Sequence, residues 1–170
     1  MEIIILRLVH VVGGILWVGS AVFNGLFLVP ALRQLGPVAG QVMAGLRARH
    51  MFVFLPVIAL LTILSGVRLM AIVSGGFDAA WFNSRPGAAY AWSALIAIVT
   101  FVVGITITRP LGNRMSSLGA ELAQAKDDAT RAALGAQLAT TQKRLGVIGN
   151  VLTVLLLLAA AGMAVARYLG

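Results

Sequence analysis

The chain has no cysteine, and its 170 residues include only five carboxylates and two histidines. Without thiols it forms neither disulfides nor thiolate metal sites. Glu2, Asp78, Glu121, Asp127 and Asp128 all fall outside the long apolar stretches, which argues against a carboxylate proton relay or a hard-cation site within them. No serine-nucleophile setting, phosphate-binding glycine loop or paired-histidine zinc pattern is present either. Even alternation of polar and apolar residues is also missing, which argues against a β-barrel.

What remains is apolar. Hydrophobic residues make up 60% of the chain and charged residues 11%, with a mean hydropathy of +0.98. Four stretches, 3–32, 51–74, 88–108 and 147–166, are long enough for a hydrocarbon layer of about 30 Å, which takes roughly 20 helical residues. The first has no basic leader and no small-residue cleavage pattern before Pro30, so it reads as a permanent helix rather than a signal peptide. The expected fold is all-α: a single integral-membrane domain, a four-helix up-down bundle.

The formal charge is +8, but in such a chain its distribution matters more than its sum. Residues 33–50 and 109–145 hold Arg33, Arg47, Arg49, Arg109, Arg114, Lys126, Arg131, Lys143 and Arg144, nine of the thirteen basic residues. These connections are expected to face the cytoplasm of a bacterial inner membrane, with both termini outside. The basic excess reads as a topology signal and as contact with anionic membrane lipids, not as a nucleic-acid footprint.

The first cytoplasmic connection opens on a Gly36-Pro37 breaker and continues as a short amphipathic approach to the second helix. On the outer side, SGGFDAAWFNSRPGAAYAW offers Trp81, Phe82, Tyr90 and Trp92 as interfacial anchors. Within 109–145, Leu111, Met115, Leu118 and Leu122 recur at helical spacing, as do Leu134, Leu138 and Leu145 beyond the polar break KDD. Helices 3 and 4 are therefore expected to extend into a cytoplasmic helical hairpin, with Asp127 or Asp128 capping the second arm. Its apolar stripe either closes the arms on each other or docks a partner in a larger membrane complex.

The segment RLVHVVGGILWVGSAVFN places Arg7, His10, Gly14, Trp17, Ala21 and Asn24 at steps of three or four, on one helical stripe. Polar groups in hydrocarbon are costly and face a bundle interior or a ligand; Gly13 and Gly14 remove bulk beside His10. His10 lies about 10 Å below the outer end of its helix by the rise per residue. Arg68, in SGVRLM, falls at a similar depth on the second helix, with Met70 and Met163 slightly nearer the surface. An imidazole, two arginines and a thioether suit haem b, the first and last as axial ligands and the arginines for the propionates. His50 stands roughly 25 Å away along the membrane normal, so bis-histidine ligation requires a homodimer, and His50 itself reads as a headgroup contact. The bland alternative for His10 is a neutral imidazole hydrogen-bonded to Ser65, Ser93 or Asn24. The stripes Ser93, Ala97, Thr100, Gly104 and Gly146, Gly149 or Asn150, Thr153 read as close-packing surfaces.

His10, followed seven residues later by Trp17 and then by Gly19, with Pro30-Ala-Leu-Arg33 closing the helix, resembles the first helix of small bacterial membrane proteins related to the copper-resistance D (CopD) family. The same run is similar to that of HemJ-type protoporphyrinogen oxidases, and RHMFVFLPVIALLTILSGVRL resembles their second helix. The resemblance covers about the first 75 residues. It implies a haem-ligand role for His10 on one side and a copper-contacting role on the other. The third helix, AAYAWSALIAIVTFVVGITITRP, has no lysine where HemJ-type enzymes carry a functional one, which directs the expectation away from protoporphyrinogen oxidation. Copper handling gathers several imidazole or thioether ligands, and His10 is alone among scattered methionines. The expected function is thus haem b binding near the outer face for electron transfer or redox chemistry. The metal ligand is His10, with Arg7, Arg68, Trp17, Gly14, Met70 and Met163 around the cofactor. The alternatives are a non-catalytic accessory subunit and a copper-handling protein.

Overall fold

The computed structural model describes residues 1–35 and 38–170; the Gly36-Pro37 breaker lies outside the described residues. Six helices follow in order: α1 (Glu2–Gln34), α2 (Ala39–Ala48), α3 (Met51–Val73), α4 (Ala79–Asn83), α5 (Arg85–Gln124) and α6 (Asp128–Ala166). Among the described residues there is no strand. Helices α1, α3, α5 and α6, of 33, 23, 40 and 39 residues, are each long and apolar enough to cross a membrane.

Local chemistry sets where α4, α5 and α6 begin. Asp78 Oδ2 accepts the Trp81 amide at 3.2 Å and starts α4. Ser84 Oγ accepts the Gly87 amide at 3.2 Å at the head of α5, where Pro86 fills a first-turn position with no amide to satisfy. Asp127 Oδ1 accepts the Thr130 amide at 2.7 Å and starts α6. That hydrogen bond to the charged form holds the Asp127 carboxyl below its ordinary range.

Two of the long helices carry the same irregularity. Asn24–Leu28 in α1 and Gly104–Thr108 in α5 are single π-turns, each ending two residues before a proline, Pro30 and Pro110. Proline has no amide to donate and its ring collides with the carbonyl four residues back. Widening the preceding turn by one residue relieves that collision without ending the helix.

The four long helices pack as a closed ring of neighbours, α1 on α3, α3 on α5, α5 on α6 and α6 on α1. Adjacent members run antiparallel: His10 meets Gly66 while Gly13 meets Thr62, and Ala21 meets Thr153 while Arg33 meets Gly146. The interior is built mainly from small residues and hydroxyls: Ala59, Thr62, Ser65, Ser93, Ala97, Thr100, Thr153 and Ala159 are buried, with Leu156 beside them. Their hydroxyls are satisfied within their own helices. Thr62, Ser93 and Thr100 each donate to the carbonyl four residues back at 2.8 Å. Most large aliphatics point outward instead, with Leu8, Ile15, Leu26, Leu64 and Leu158 all more than half exposed. An interior of small residues inside an apolar exterior is how helices associate in lipid, where packing rather than burial drives them together. The fold is therefore compatible with a multi-pass membrane protein.

At the end of the bundle opposite the hairpin, Trp81 stacks on Tyr90 with ring centroids 6.2 Å apart and meets Phe82 edge-on at 5.0 Å. Trp92 stands apart and exposed. Gly87 lies beneath this cluster, so close to the Trp81 carbonyl oxygen that a Cβ there would collide with backbone, which cannot rotate away. Gly87→Ala is accordingly expected to displace α4 and cost about 1–3 kcal/mol. A melt followed by helical ellipticity in detergent checks this; an unchanged midpoint would refute it.

Beyond the apolar segments, α5 and α6 run on as an antiparallel pair. Leu118 is 3% exposed, with Leu111, Met115, Leu122, Leu134, Leu138 and Leu145 half-buried around the seam. The hairpin thus consumes its own apolar stripe, leaving a polar exterior. Arg114 donates to Gln137 Oε1 at 3.3 Å across it, and α2 is tied to it through Arg47, which donates to Ser116 Oγ at 3.2 Å.

Candidate functional site

His10 lies on α1, about 12 Å along the helix from Glu2 by the rise per residue. Its imidazole rests on Gly66 of α3: a Cβ at Gly66 would stand 2.6 Å from His10 Cε1 and 2.8 Å from Nδ1. One turn deeper, Gly13 is buried against the Thr62 hydroxyl. Glycines on both helices bring the two backbones together, and the imidazole occupies the space that Gly66 leaves.

His10 Nδ1 is 2.8 Å from the carbonyl oxygen of Thr62. A carbonyl only accepts, so Nδ1 carries the proton and, in the neutral ring, Nε2 holds the lone pair. Nε2 makes no hydrogen bond among the described residues. The partner is thus a backbone carbonyl, not the Ser65, Ser93 or Asn24 side chain. Ser65 Oγ donates to that same Thr62 carbonyl at 3.0 Å and to Leu61 O at 2.7 Å, which keeps it from His10.

The other predicted site residues fall at graded distances from this contact. Arg7, one turn outward on α1, is exposed and makes no hydrogen bond or ion pair among the described residues. Arg68 is exposed and paired with Glu2 at 2.7 Å; two residues past Gly66 it points about 200° around the helix, off the His10 face. Met70, four residues past Gly66, is half-buried on that face, one turn outward. Thr153 Oγ1 donates to Ala21 O at 3.3 Å and also meets Gly25. Ten residues further along antiparallel α6, Met163 is therefore level with residues 11–15 of α1, at or below His10 rather than above it. Trp17, two turns deeper than His10, is half-buried and meets Phe101 of α5 edge-on at 6.2 Å. Gly14 faces the Thr62 methyl at an ordinary 3.8 Å, so Gly13 is the position that demands glycine.

His50 is exposed at the far end of α3, with a left-handed backbone at φ 57 that turns the chain out of α2. It takes no part in the His10 site. Among the described residues no three histidines or carboxylates converge, so any metal at His10 completes its ligand set from thioether, cofactor or partner groups.

The sequence reading placed Arg68, Met70 and Ser65 of α3 near His10 but missed the two α3 groups that touch it, Gly66 and the Thr62 carbonyl. The signal was there in Ser65-Gly66, a small pair inside an aliphatic run, but a backbone carbonyl partner leaves no mark on the sequence. Also unforeseen are two buried oxygens without protein partners, Asn24 Oδ1 and Thr108 Oγ1, the first residue of one π-turn and the last of the other. Both π-turns lean on α6. The chain matches no protein-family model, and no curated protein or solved structure is similar to it.

Proposed function

We propose that this is a b-type haem protein of the bacterial inner membrane, with both termini outside and His10 as an axial ligand. The observation that supports this is the His10 Nδ1–H···O bond to Thr62. An imidazole that ligates a metal through one nitrogen typically donates its other N–H to a carbonyl or carboxylate, which fixes the tautomer and raises the basicity of the ligating nitrogen. His10 has that arrangement, with Nε2 as the remaining lone pair. Arg7 is the propionate partner, since Arg68 already pairs with Glu2. Met70, on the His10 face of α3, would be the first choice to supply a second ligand to the iron, followed by Met163 and by His10 of a second copy. Bound haem would supply one-electron redox chemistry; the chain supplies the imidazole, its orientation and an apolar surround. The proposed role is electron transfer or redox assistance near the outer face.

The test is a reduced-minus-oxidised visible spectrum of the full chain in mild detergent, beside His10→Ala. A haem b band in the wild type that disappears in His10→Ala is the expected result. No band in folded protein from haem-replete cells would overturn the reading.

The same hydrogen bond favours a second reading, in which His10 is a clamp between α1 and α3 in a non-catalytic accessory subunit. Under it no band forms, and His10→Ala lowers the melting point of the bundle without any spectroscopic change.

A further inference from the structure

Two adjacent open grooves, of about 330 and 410 Å³, lie where the α5–α6 hairpin leaves the apolar segment. Arg114, Gln137, Thr140, Thr141 and Arg144 line the first with Ala136. Thr140 and Arg144 continue into the second, which adds Lys143, Val147 and Ile148. Along α6, positions 137, 140 and 144 follow steps of three and four, and 147 and 148 lie three and four beyond 144, so one helical stripe runs from polar through cationic to apolar. The change falls at the boundary of the span, because residues 145–166 carry no charged side chain.

The basic groups here are uncompensated. Among the described residues the ion pairs are Arg68–Glu2 and Arg131–Asp128, and neither involves Arg114, Lys143 or Arg144. The carboxylates of the hairpin, Glu121, Asp127 and Asp128, lie toward its far end, about 10 Å or more beyond Arg114 by the rise per residue. Guanidinium groups present paired donors matched to phosphate oxygens. A cationic groove that opens on an apolar one at the membrane surface suits an amphiphile with a negative headgroup.

We infer that this double groove binds one anionic phospholipid, its phosphate between Arg114 and Arg144 and its upper acyl chain along Val147 and Ile148. The site rests on the membrane placement of the bundle and not on haem at His10. Lipid bound there would brace the hairpin against the membrane, because Arg114 and Arg144 belong to its two different arms.

Native mass spectrometry of the full chain in neutral detergent tests the site, with phosphatidylglycerol, phosphatidylcholine of the same chains, and glycerol phosphate as probes. One phosphatidylglycerol is expected to be retained in preference to phosphatidylcholine. Arg114→Gln with Arg144→Gln is expected to weaken retention about 30-fold, each basic group near an anionic lipid contributing about five-fold. Val147→Trp keeps both arginines but fills the apolar groove, so it is also expected to lower retention; it decides the matter alone if the arginine variant does not fold. Equal retention of phosphatidylcholine would overturn the inference, as would unchanged binding by these variants. Displacement of the lipid by equimolar glycerol phosphate would assign the cationic groove to a free phosphate compound instead.

Discussion

Replacing Gly66 with valine is expected to expel the His10 imidazole from the α1–α3 seam and remove the haem band as completely as His10→Ala does. A Cβ at this position stands 2.6 Å from Cε1 and 2.8 Å from Nδ1, where ordinary contacts begin near 3.4 Å. Valine adds two methyls to that overlap. The ring relieves it only by swinging away, which breaks the 2.8 Å bond to the Thr62 carbonyl and turns Nε2 from its set direction. Loss of such an orienting bond alone costs about 10- to 100-fold in metal affinity; displacement of the ring removes the ligand outright. The clash also predicts its own rescue. Because His10→Ala removes the overlapping group, the Gly66→Val/His10→Ala double variant is expected to melt higher than Gly66→Val alone, a coupling that a double-mutant cycle measures. Additive melting shifts together with an intact haem band would show that the imidazole does not sit on Gly66.

Gly13→Leu is expected to open the same seam one turn deeper and to cost about 3 kcal/mol or more of bundle stability, at the upper end of overpacking penalties. Its Cβ would land on the Thr62 hydroxyl, with the Ile58 carbonyl 3.6 Å away behind it. Thr62 cannot turn aside freely, since its hydroxyl is bonded to that carbonyl at 2.8 Å. The helices must separate, and in lipid the lost contacts have no hydrophobic compensation. Gly19 is the control on the same helix: nothing lies within 4 Å of its Cβ position. Gly19→Ala is expected to be neutral or to stabilise by up to about 1 kcal/mol through helix propensity. Unfolding in mixed micelles with increasing dodecyl sulfate distinguishes the two; equal midpoints would mean that Gly13 is not a contact residue.

The proposed haem and lipid sites are expected to fail separately under these variants. The α1–α3 changes lie toward the end of the bundle opposite the hairpin and the Arg114–Arg144 groove near the base of the hairpin, so a lost haem band with retained phosphatidylglycerol points to the His10 seam alone.

The sequence by itself determined the helical class, the four apolar helices and the stripe that carries His10. These follow from run length, hydropathy and the 3.6-residue period, all of which are local. Asp127 as a helix cap and the apolar seam of the hairpin were readable for the same reason. Only the tertiary structure decided which groups meet. It gave Arg68 to Glu2, set Trp17 against Phe101 of α5, set Met163 at or below the level of His10, and chose a main-chain oxygen of Thr62 as the partner of His10. The physical reason is that helix faces are fixed by the chain, whereas register and rotation between helices are fixed by where small residues allow backbones to approach. Here Gly13 and Gly66 set that approach, and the position of the His10 imidazole follows from it.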